Sequence, residues 1–266
     1  MLGKLLKYEF KATARSFLPL YAALIVMSLI NKLLFSINSN FLNGAIGIPQ
    51  SISAMLYGFL IIAVFVLTVI VMIQRFYKNL LSDEGYLMFT LPVKTPSLIF
   101  SKLINATVWM LCSIAVTVVS VLILAYSPGM FSDLAAAIVQ FFRNVDLQLG
   151  INVAAALVEF ILMVLTTILS SVLMIYASIA LGQLMNKHRV LASFGAYLVL
   201  NTVMSTIFMI GMMILGLINP DYFMFHISGE AALHLIMWGL ILYNLVCCAA
   251  YYVITHIMLK KHLNLE

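Results

Sequence analysis

Residues 153–182 read VAAALVEFILMVLTTILSSVLMIYASIALG, and Glu159 is the one charged residue among them. About 20 mostly apolar residues in a helix cross the hydrocarbon of a bilayer, so this run is long enough to span. Five more runs of the same kind lie at 17–37, 51–73, 99–126, 190–217 and 232–259. They are continuous, without the short alternating pattern that a membrane barrel needs. The composition agrees: 64% of the 266 residues are apolar and 9% charged, with a mean hydropathy of +1.13. A soluble domain carries about a quarter charged residues, and its surface has to be covered largely by polar groups. The predicted fold class is therefore all-α integral membrane with six transmembrane helices.

The net charge of +5 follows the membrane rather than a nucleic acid. Lys4, Lys7, Lys11, Arg15, Arg75, Lys78, Lys94, Lys102, Lys187, Arg189, Lys260 and Lys261 fall at one set of span ends, and Arg143 alone at the other. Asp133, Asp146, Asp221 and Glu230 gather with Arg143. The positive-inside rule then predicts a multi-pass chain with both termini cytoplasmic. The first apolar run is too long for the core of a cleaved leader. No internal repeat stands out along the chain.

Two segments are predicted to be more than spans. Residues 1–16 form a domain of their own in this reading, with the six-span region at 17–266. At about 100° per residue, Lys4, Lys7, Lys11 and Arg15 make one stripe and Leu2, Leu5, Leu6 and Phe10 face away from it. Such a helix is expected in the headgroup plane, its stripe toward anionic lipid. Glu9 points from the greasy face and needs a partner, either a base such as Arg75 or Lys78 or a docked protein.

The second segment joins spans two and three. Ser82 is a candidate cap for a short helix starting at Asp83 and Glu84, whose carboxylates suit the positive end of the helix dipole. Pro92 ends it, and Thr95-Pro96 or Ser97 opens the third span. Leu80, Leu81, Tyr86, Leu87, Phe89 and Leu91 are too apolar for a solvated linker. Either lipid alone or a protein partner covers this helix, and its acidic start favours the partner, because the inner leaflet is itself negative. On the other side, residues 131–144 are expected to form a surface helix capped by Ser132, and Tyr222, Phe223 and Phe225 to mark the interface belt.

Lys32 and Glu159 are read as the charges inside the spans, where charge points to a pathway or a subunit contact. Lys32 is expected to snorkel toward the surface. Glu159, being shorter, is expected to face a cavity or a second subunit, with Lys32 as one candidate partner. Cys112, Cys247 and Cys248 lie in apolar runs and suggest no disulfide framework. The chain has no P-loop, no His-Glu-x-x-His and no Gly-x-Ser-x-Gly, so it is read as a non-enzyme, with no cofactor or metal of its own. His234 and His256 lie near opposite ends of the sixth span, too far apart to share a metal.

These features together resemble the ABC-2 type permease family. The resemblance rests on Lys-Tyr-Glu-Phe at 7–10, on six spans, and on Asp-Glu-Gly-Tyr-Leu-Met-Phe-Thr-Leu-Pro-Val-Lys at 83–94 followed by Ser101-Lys102. It implies a type V ABC exporter fold, with 1–16 as a connecting helix carrying Glu9. A cytoplasmic coupling helix would use Asp83, Glu84, Gly85, Tyr86, Leu87, Phe89, Leu91 and Pro92. It further implies separate ATPase subunits that hold ATP and magnesium, a second permease subunit (identical or different), a bacterial plasma membrane, and export of an amphipathic or hydrophobic substrate such as a peptide, antibiotic or lipid. The chain departs from members that carry a large extracellular domain. Without the resemblance, the same residues fit a membrane scaffold or assembly factor, or an enzyme acting on lipid.

Overall fold

The computed structural model describes residues 2–41, 47–81, 95–149, 152–185, 187–218 and 229–261. These form seven helices: α1 (Leu2–Phe41), α2 (Ile48–Leu80), α3 (Thr95–Ala125), α4 (Met130–Leu149), α5 (Val153–Gly182), α6 (Arg189–Ile218) and α7 (Gly229–Lys261). All but α4 are long and apolar enough to cross a membrane. Each expected run matches one of these six, Tyr126 alone falling just past the end of α3; at their basic ends α1, α2, α3, α6 and α7 extend past the runs, while α5 ends with its run at Gly182. Thirty or more residues at 1.5 Å each make about 45 Å or more, against about 30 Å of hydrocarbon.

Helices α1 to α3 make one compact unit, and α5 to α7 belong to another. In the first, α1 packs along α3. Four contacts keep nearly constant register: Glu9 meets Lys102, Thr13 is bonded to Trp109, Tyr21 to Ser113 and Lys32 to Ile123. The two helices therefore run parallel. Helix α2 runs the other way, since Thr68 reaches Ser113 and Tyr57 reaches Ser120. Phe17, Tyr21, Leu24, Tyr57 and Val64 form the buried apolar core of this unit.

Residues 2–16, expected as an amphipathic helix, form the first part of a 40-residue α1 that continues through Pro19. The basic stripe is as expected, with Lys7, Lys11 and Arg15 exposed. The opposite face packs on α3, where Glu9 and Thr13 are buried. An amphipathic pattern gives the polar stripe but not whether lipid or a neighbouring helix takes the other side.

In the second unit α5 packs along both α6 and α7. Glu159 pairs with His234 and Asn244 donates to Thr167, so α5 and α7 are parallel. Helix α6 returns antiparallel, brought so close to the end of α5 that a Cβ on Gly182 would sit 2.7 Å from both Cα and N of Ser193. Helix α4 is exposed along nearly all its described length. It opens at Met130 after Gly129, whose φ of 90° suits a residue without a side chain. Ser132, expected as its cap, therefore lies inside the first turn, beside Asp133. The aromatic loop 219–228 lies outside the described residues.

Gly182→Ala is expected to lower the melting temperature of the detergent-solubilised chain by about 5 °C, because its Cβ meets backbone atoms. Adding Ser193→Ala should not restore it. Scanning fluorimetry of the single and double variants checks this.

Candidate functional site

A charged side chain inside the hydrocarbon has to be matched by a partner or a wet cavity. Glu9, Lys32, Lys102, Glu159 and His234 are ionisable residues on the described candidate spans whose partners are seen. In the first unit, Glu9 and Lys102 form an ion pair in which Glu9 is 6% and Lys102 4% exposed. The sequence offers Arg75 and Lys78 as candidate partners for Glu9. The base that meets it is Lys102, eight residues into α3, which the charge count treats as a flanking residue. The signal was the need of Glu9 itself, but α1 and α3 had first to be set in register across more than 90 residues of chain.

One turn deeper, the Thr13 hydroxyl donates to the Glu9 carbonyl at 2.8 Å and accepts the indole N–H of Trp109 at 2.7 Å. Trp109 also stacks on Phe17, with ring centres 4.6 Å apart. Further along, the hydroxyls of Tyr21 and Ser113 are 2.7 Å apart and those of Thr68 and Ser113 are 2.8 Å apart. The Thr68 hydrogen goes to the Val64 carbonyl at 2.6 Å. A hydroxyl has one hydrogen to give, so Ser113 donates to Thr68 and accepts from Tyr21. This polar seam is satisfied along its length and joins all three helices.

Lys32 closes the far end of the same unit. Its ammonium donates to the Ile123 carbonyl at 3.1 Å and to that of Tyr126, and lies 4.7 Å from the centre of the Tyr126 ring. These carbonyls belong to the end of α3, where the helix dipole is negative and the last carbonyls lack helical partners. Lys32, expected to snorkel, thus ends on a helix terminus.

Glu159, 7% exposed, is held from α7. His234 Nδ1 lies 2.6 Å from its Oε2, and the Trp238 indole N–H donates to its Oε1 at 2.8 Å. Indole is a donor only, so Oε1 accepts from Trp238, while Oε2 faces Nδ1 of His234. The His234 side chain is 24% exposed. Lys32 and Glu159 each have partners within their own unit. His234 and Trp238 were missed as partners of Glu159, although their spacing of four residues places both on one face of the helix.

Asp83, Glu84, Gly85, Tyr86, Leu87, Phe89, Leu91 and Pro92 lie outside the described residues, so their expected helix is neither seen nor replaced. Among the described residues no group of three or more His, Cys, Asp or Glu is placed to hold a metal. Compared with known proteins, the chain matches no family model, no curated protein and no solved structure.

Lys102→Met takes the Lys102 cation from the buried Glu9 carboxylate, and breaking a buried pair costs about 3–5 kcal/mol. The variant is expected to lose most of its folded yield in detergent. Glu9→Gln with Lys102→Met should recover at least half of it, as measured by size-exclusion chromatography of the solubilised chain.

Proposed function

We propose that the chain is the membrane-spanning permease subunit of an ATP-driven ABC export system in a bacterial plasma membrane, with both termini cytoplasmic. Its substrate is an amphipathic or hydrophobic molecule such as a peptide, an antibiotic or a lipid. Support comes from six helices fit to cross a membrane and from the resemblance of 7–10 and 83–94 to ABC-2 permeases. The chain carries no P-loop, so ATP and magnesium belong to a separate ATPase subunit. A second permease subunit completes the pathway.

One observation carries the mechanical part of the reading. The buried Glu9–Lys102 pair fastens the start of α1 to the start of α3, and α3 follows directly on the segment that the resemblance assigns to coupling. A push on 83–92 from an ATPase then moves the beginnings of two spans as one body. Packed helices change arrangement by rigid shifts rather than by continuous bending, so this motion passes along α1 and α3. The role of the pair is to make the lever stiff.

Asp83→Lys with Glu84→Lys, or Leu87→Asp, is expected to leave membrane insertion intact and to abolish both export and co-purification of an ATPase. The test is co-expression with the candidate ATPase subunit, detergent pull-down of the full chain and assay of vanadate-sensitive ATP hydrolysis. Recovery of hydrolysis with the wild type and its loss with Leu87→Asp supports the reading. A chain that carries no nucleotide-hydrolysing partner, or equal recovery with Leu87→Asp, overturns it and favours a scaffold or a lipid-acting enzyme.

A further inference from the structure

The two units repeat one another in four respects. Each has three long apolar helices, of which the first and third run parallel in close contact and the second runs back. The first helix of each carries an acid near its start, Glu9 in α1 and Glu159 in α5. The third helix of each carries a base near its start, Lys102 in α3 and His234 in α7. In both units that base meets that acid.

The tryptophans follow the same rule. The chain has two, and each lies on the third helix of its unit with its indole N–H donated across to the first. Trp109 reaches Thr13, one turn from Glu9, at 2.7 Å, and Trp238 reaches Glu159 itself at 2.8 Å. Sequence comparison by eye misses this, because what recurs is a set of positions on helices of different length and not a string of residues.

We infer that the two units are copies of one three-helix device, each shut at the start of its first and third helices by an acid–base latch flanked by an indole. By the charge count along the chain, the first latch belongs to the cytoplasmic side and the second to the outer half of the membrane. As a repeat the inference stands on the contacts alone. As inner and outer closures of a transport pathway the latches rest on the permease reading.

The chemistry makes the latches exchangeable. In each, a carboxylate meets a nitrogen base of the third helix. A lysine in place of His234 sets a nitrogen base opposite Glu159, as the histidine does, whereas a leucine sets none there. A merely structural histidine, packed for its ring shape, gives the opposite ranking.

The test uses the full chain in detergent, with no nucleotide or substrate, so that it remains readable whether or not the permease reading holds. Glu159→Gln and His234→Leu are each expected to lower Tm by about 5 °C, the double variant no further than the worse single one, and His234→Lys by less than about 2 °C. Glu9→Gln and Lys102→Met should show the same non-additivity. In chains keeping one indole, Glu159→Gln should shift the emission of Trp238 (with Trp109→Phe) and leave that of Trp109 (with Trp238→Phe) unmoved, and Glu9→Gln the reverse. Additive losses in either unit, a His234→Lys variant that melts like His234→Leu, or a Trp238 emission indifferent to Glu159→Gln overturns the inference. Should the single variants fail to accumulate, the exchange Glu159→His with His234→Glu decides: recovery of folded chain supports the latch, and continued failure overturns it.

Discussion

Hydrocarbon does not solvate charge, and that constraint organises this molecule more than any apolar contact does. Leucine and valine are as content against lipid tails as against one another, so apolar surface alone gives two membrane helices little reason to choose a neighbour. A buried carboxylate does give one. Glu9 selects α3 through Lys102, Glu159 selects α7 through His234 and Trp238, and Lys32 selects the terminal carbonyls of α3. In the described units these contacts fix which helices are neighbours, in which register and in which direction.

The remaining polar groups refine what the charges begin. Thr13, Tyr21, Thr68 and Ser113 are buried in the first unit, where an unpaired hydroxyl is costly. Thr13, Tyr21 and Ser113 bond across helices, and Thr68 both to its own helix and across to Ser113. The second unit adds close backbone approach at Gly182. Tight packing through small residues and satisfied polar pairs together replace the hydrophobic drive that a water-soluble core would have.

How much of this was legible in the sequence differs from residue to residue. The six spans were, because the need for about 20 apolar residues is local and length alone meets it. The exposure of Lys7, Lys11 and Arg15 was legible for the same reason, as a periodic stripe. The continuity of α1 across residue 16 was not: it depends on Glu9 and Thr13 finding α3, and nothing near them in the chain says so. Lys102 looked like a flanking base because it stands at the edge of an apolar run. His234 was weighed as a metal ligand and not as a partner for Glu159, since 75 residues of chain separate the two. A need for a partner can be read from one residue, while the identity of the partner requires the packing.

The contact on which most depends is the one between Glu9 and Lys102, and solid-state NMR in lipid bilayers measures it directly. With the chain labelled so that the Glu9 carboxyl carbon and the Lys102 ammonium nitrogen are both resolved, carbon–nitrogen recoupling is expected to place the two within about 4 Å, the range of an ion pair. Resolved signals with no measurable coupling would put the start of α1 away from α3 and contradict the account.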